Sequence, residues 1–191
     1  MAVAVGEDTA RLGWLDGLRG AAVLLMLADH MLALASPAHV LRFTLTRLSL
    51  PAFMVAAGAG LAARGRLPSD RRVVQCGAAA AVATGASWWL GFALPEAVTL
   101  YLLTLPLAWA LRRAWPEAVV LGLVQALSLP VPWGGYQPGL VLAYLALGIG
   151  AAGSLGAARW RWPGWVQTVG RRPLAWYAGH LAVLAMVAGA A

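Results

Sequence analysis

Apolar runs punctuated by short clusters of Arg, Pro and Gly divide the chain into seven segments. They fall at about 17–36, 41–63, 73–94, 97–111, 117–131, 138–157 and 173–190. A helix needs roughly 20 residues to cross a bilayer, and most of these runs come close to that length. The pattern predicts an all-α chain, a single domain over residues 1–191, built as a polytopic integral membrane helix bundle. The runs at 97–111 and 117–131 are the shortest, and read either as two spans or as one hairpin that is partly re-entrant. The residues between the runs leave no room for a soluble domain.

Composition sharpens this expectation. Hydrophobic residues make up 61% of the chain and charged ones 11%, against about a quarter charged in an ordinary soluble domain. Mean hydropathy is +0.74. A formal charge of +7 would point to nucleic acid in a soluble chain, but here the cations sit in short runs between apolar segments. That placement argues against a nucleic-acid partner. All 14 basic residues are Arg and none is Lys, in a chain rich in Ala and Gly, which looks like a GC-rich bacterial coding bias. The single cysteine, Cys76, excludes an internal disulfide and reads as a small core residue.

Arginine placement gives an orientation. Arg64, Arg66, Arg71 and Arg72, then Arg112 and Arg113, then Arg159, Arg161, Arg171 and Arg172 fall on one side with Arg11 and Arg19. That side is expected to be cytoplasmic, with the N-terminus there, in a bacterial inner membrane. Arg42, Arg47 and His39 fall against the trend. The start of the chain resembles a signal peptide in outline, with basic residues, an apolar run and Ala33-Leu34-Ala35. Asp29 and His30 interrupt the apolar run, so it is read as a retained first helix. Trp160, Trp162 and Trp165 interleave with arginines before the last run and read as an interfacial aromatic belt.

The first segment, LDGLRGAAVLLMLADHMLALA, carries the candidate chemistry. At about 100° per residue, Arg19 and His30 share one helix face to within about 20°, and Asp16 joins it to within about 40°. Arg19 and His30 are then about 16 Å apart along the axis. Gly13, Gly17 and Gly20 allow close approach of another helix or a ligand. His30 suits proton transfer near neutral pH, and Asp29 beside it is a possible partner or second polar wall. The alternative is a histidine satisfied by another helix's backbone or hydroxyl.

LDGLRGAAVLLMLADH resembles the first-helix signature of the membrane acyltransferase superfamily, which holds the acyltransferase-3 and heparan-α-glucosaminide N-acetyltransferase-like proteins. Arg19-Gly20 and His30 have that group's spacing, and Asp29-His30 is most similar to the heparan acetyltransferase-like branch. LSLPAFMVAAGAGLAARG (48–65) and VGRRPLAWYAGHLAVL (169–184) resemble its second-helix and late-helix segments. The three stretches cover about a third of the chain, and the middle segments match none of its patterns.

The resemblance implies transfer of an acyl group, commonly acetyl from acetyl-CoA as donor substrate, to a hydroxyl or amine. His30 matches the catalytic position, and Arg19 matches an arginine that assists the donor. Cations near Arg19 suit the phosphates of acyl-CoA. Asp16 lies on the same stripe, and Arg47 is placed to hold an anionic or sugar-bearing acceptor, or else snorkels from its helix end. His180 reads either as a second site residue or as a structural hydrogen-bonder, with Tyr177 one turn away. No metal is expected. The chain is shorter than catalytic members of the superfamily, which leaves a second expectation: a non-catalytic accessory transmembrane subunit of a larger membrane protein complex. Small-residue helix faces and ten tryptophans suit such a role. Membrane lipid, a larger complex or a homo-oligomer are the partners expected. A proton-coupled transporter is the third reading, weakened by the scarcity of carboxylates.

Overall fold

The computed structural model describes residues 13–35, 48–89, 97–128, 138–157 and 161–189. Eight helices occupy the described residues: α1 (Gly13–Ala35), α2 (Ser49–Arg64), α3 (Asp70–Trp89), α4 (Ala97–Ala110), α5 (Trp115–Ser128), α6 (Pro138–Ala157), α7 (Gly164–Arg171) and α8 (Pro173–Gly189). Prolines mark where they start. Pro51, Pro116, Pro138 and Pro173 all sit in first turns, where the missing N–H would have no intrahelical partner. Pro106 is the exception, inside α4. Gly65 ends α2 in the left-handed region at φ 62°, its N–H donating to the carbonyls of Leu61 (3.0 Å) and Ala62 (3.2 Å).

The all-helical expectation holds, but the polytopic membrane bundle does not. Among the described residues, no helix is long and apolar enough to cross a membrane. Four of them, α2, α4, α5 and α8, have 16, 14, 14 and 17 residues, short of the roughly 20 required. Two of the longer ones are interrupted by charge. Asp16, Arg19 and Asp29 lie within α1, and α3 opens on Asp70-Arg71-Arg72. In α6 Val141, Leu142, Ala143, Leu145 and Ala146 are buried against protein, while Leu147 is exposed. Seven segments were expected and an eighth helix, α7, lies where an aromatic belt was read.

Helix α6 packs against α2, α4 and α5, while α1 packs against α2, α7 and α8. The largest buried patch joins Met54 of α2, Ala108 of α4 and Val141, Leu142 and Leu145 of α6. A second joins Val23 and Met26 of α1 to Tyr177 and Leu181 of α8. Leu15, Ala56 and Ala59 form a third, between α1 and α2. Glycines bring backbones together at three helix pairs: α1 with α7, α2 with α6, and α5 with α6. On α2, a Cβ at Gly58 would collide with the Leu145 carbonyl, and one at Gly170 of α7 would collide with the Asp16 carbonyl of α1. Large apolar side chains also remain outside, on α5 above all: Val120, Leu121, Leu123, Val124 and Leu127 are exposed, Leu127 at 88%.

Candidate functional site

Helices α1 and α8 meet through an apolar seam, and polar groups close it where that seam ends. His30 of α1 and His180 of α8 are both half-buried, with Nδ1 of His30 2.8 Å from Nε2 of His180. The rings lie 14° from parallel with centroids 4.9 Å apart. With the nitrogens at 2.8 Å, that separation joins the imidazoles edge to edge, in the geometry of a hydrogen bond.

The backbone fixes the direction of that bond. His180 Nδ1 lies 3.1 Å from the Trp176 carbonyl oxygen, one turn earlier on α8. A carbonyl only accepts, so His180 Nδ1 carries the hydrogen and, in the neutral ring, Nε2 carries the lone pair. That lone pair must accept from a hydrogen on His30 Nδ1. In neutral His30 the basic lone pair is then on Nε2. A carbonyl on α8 therefore dictates the tautomer of a histidine on α1, through one intervening ring.

Tyr177 sits edge-on to His180, ring centroids 5.8 Å apart at 66°, and is buried among Val23, Met26 and Leu181. It walls the pair on the core side. Asp29 is half-buried beside His30 on α1.

No known protein family, curated protein or solved structure matches the chain.

The other expected site residues lie toward the start of α1. Asp16 is buried, its carboxylate 3.6 Å from Arg19 Nη1 and 4.0 Å from Arg171 Nε. The Arg19 side chain keeps 22% of its surface exposed. Burial, and next the charge of Arg64, push its guanidinium down to about 10, with Asp16 opposing the shift. Arg47 lies outside the described residues, as do Arg42 and His39. Among the described residues, no group of three or more metal-ligating side chains occurs.

Sequence reasoning passed over Arg64, whose Nη1 meets the Gly60 face that Arg19 Nη2 also reaches, and two groups whose charge acts on Arg19, Arg72 and Tyr101. By position along the chain, the two arginines serve only to set orientation. Burial pushes the Tyr101 phenol up, while Arg64, Arg19 and Arg72 pull it down. The signal available was the five-residue spacer between Arg64 and Asp70, short enough to fold two cationic helix ends together.

Proposed function

We propose that the chain transfers an acyl group from a thioester donor of the acyl-CoA type to a hydroxyl or amine, with His30 as general base. One observation carries this reading: the His30–His180 hydrogen bond, which leaves the basic lone pair on His30 Nε2. The resemblance of the Arg19-to-His30 stretch to acyl-transfer proteins supplies the reaction class.

The chemistry follows from the tautomer. The acceptor's O–H or N–H gives its proton to His30 Nε2 as its oxygen or nitrogen attacks the thioester carbonyl. A new C–O or C–N bond forms, the C–S bond breaks, and the departing thiolate takes the proton back from the imidazolium. While His30 is protonated its Nδ1–H still donates to His180, so the ring stays in place through both transfers. His180 acts as a positioning residue. Arg19 assists the donor from a position some 16 Å along α1 from His30, a separation an extended pantetheine arm can bridge.

The test is thiol release from acetyl-CoA by the purified full chain, with amine and hydroxyl acceptors supplied. Release that depends on acceptor and is lost in His30→Ala supports the proposal. Equal release by the wild type and His30→Ala refutes it.

The exposed apolar face of α5 favours a second reading, an accessory helical subunit within a larger complex. Isolated large apolar residues on a surface need no explanation, but five in one helix turn outward here. Stoichiometric co-purification with a larger assembly, lost when Val124 and Leu127 are changed to Glu, is its expected signature.

A further inference from the structure

Helix α7 is held down on one side and open on the other. Its inner side meets α1 through backbone: a Cβ on Gly20 would collide with the Val166 carbonyl, and one on Gly170 with the Asp16 carbonyl. Trp162, just before the helix, packs over Gly17, and its carbonyl accepts from Gln167 Nε2 at 3.0 Å. Val166 and Gly170 are buried. These contacts fix which residues turn outward.

The outward residues are Arg161, Trp165, Thr168 and Arg172, at intervals of four, three and four, and all are exposed. Trp165 keeps 62% of its surface, although tryptophan is mostly buried in folded chains. Thr168 turns its hydroxyl back onto the Gly164 carbonyl at 2.9 Å, so the face offers two guanidinium groups and an indole. Trp176, in the first turn of α8, is exposed as well. Charge at this end of the chain has one sign, for no Asp or Glu occurs after Glu117. Asp16, the carboxylate that Arg171 approaches, is buried and also meets Arg19. Among the described residues, no carboxylate pairs with Arg161 or Arg172. Negative charge that complements this face comes from outside the described fold.

We propose that the outward face of α7 docks on an anionic membrane surface, with Trp165 in the headgroup layer and Arg161 and Arg172 on lipid phosphates. An indole has an apolar body and a polar N–H, which suits the boundary between headgroups and acyl chains. Guanidinium forks match phosphate oxygens in pairs. An acidic protein would complement the arginines but offers the indole no such boundary. The helix lies on the bilayer rather than crossing it, and its inner side stays on α1. This docking is independent of the acyl-transfer reading.

Phosphatidylcholine vesicles with and without phosphatidylglycerol are the probe, co-sedimented with the purified full chain at low salt. Binding should be tighter to the anionic vesicles and should weaken as salt is raised. Arg161→Gln and Arg172→Gln should each weaken it about fivefold, and Trp165→Ser about tenfold, with Trp165→Phe recovering part of that loss. All three side chains are exposed, so helix content by circular dichroism should stay the same in these variants. Changing Val124 and Leu127 of α5 together to Ser should alter binding less than about twofold. Loss in that pair with none in the α7 variants would place lipid on α5 and overturn the proposal. Equal binding to both kinds of vesicle would overturn it too. So would poly-glutamate that binds as tightly as the anionic vesicles and is indifferent to Trp165→Ser, which would assign the face to an acidic protein. His30→Ala should bind vesicles like the wild type, so failure here and failure of acyl transfer are read separately.

Discussion

His30 Nδ1 and His180 Nε2 lie 2.8 Å apart although 150 residues separate them in sequence. The contact makes the two rings one functional unit, because the state of His30 follows from a bond that His180 makes to Trp176. His180→Phe keeps an aromatic ring but removes the acceptor, freeing His30 to adopt either tautomer. Acyl transfer should fall about 10²-fold or more, and His30→Ala should abolish it to background. The double variant should be no worse than His30→Ala, since residues acting as a unit lose activity non-additively. Rates of thiol release from the three variants check this. Multiplicative losses would show that the histidines act separately.

Much of the helix layout was legible in the sequence. The run at 138–157 coincides with α6, those at 97–111 and 173–190 match α4 and α8 to within a residue, and α1 differs mainly in starting at Gly13. Apolar runs bounded by Pro and Arg carry that information locally. Helix α7 escaped notice because eight residues between Arg161 and Arg172 hold too few turns to show a helical period. Its contact with α1 depends on small residues, Gly20 against Val166 and Gly170 against Asp16, rather than on a visible apolar stripe. The membrane assignment was misled by mean hydropathy, which counts apolar residues without saying whether they face other helices, as Val141 and Leu145 do. Sharing of a face by Arg19 and His30 follows from helical geometry alone. That Arg64 meets Arg19 beside Gly60 depends on α2 packing against α1, which periodicity does not encode.

The close helix contacts predict opposite effects for the same substitution. Gly58→Ala and Gly170→Ala place a methyl against backbone carbonyls of α6 and α1, so helices must move apart. Each should destabilise the fold by about 1–3 kcal/mol, as overpacking does. Gly179→Ala, in α8 with open space around it, should instead stabilise by about 0.5–1 kcal/mol through helix propensity. Denaturant midpoints of the three variants give the signs directly, and equal shifts for all three would contradict the packing described.

Cys76 should resist alkylation in the native protein. Its side chain is buried, and burial pushes the thiol above its ordinary range while Arg72 pulls it back. Alkylation proceeds through the thiolate, so a raised pKa and restricted access both slow it. Iodoacetamide labelling at mildly alkaline pH should be slow when folded and fast in denaturant. Arg72→Gln removes the one influence favouring the thiolate, so it should slow native labelling further.

The Tyr101 phenol feels opposing influences from burial and from three arginines. Burial raises it above the ordinary value of about 10, and Arg64, Arg19 and Arg72 each oppose that rise. Near-ultraviolet titration of tyrosinate should therefore show a component ionising late, absent from Tyr101→Phe. A cation favours the phenolate, so removing one in Arg64→Gln should move that component to still higher pH. A component that stays where it was in Arg64→Gln would show that Arg64 does not act on the Tyr101 phenol.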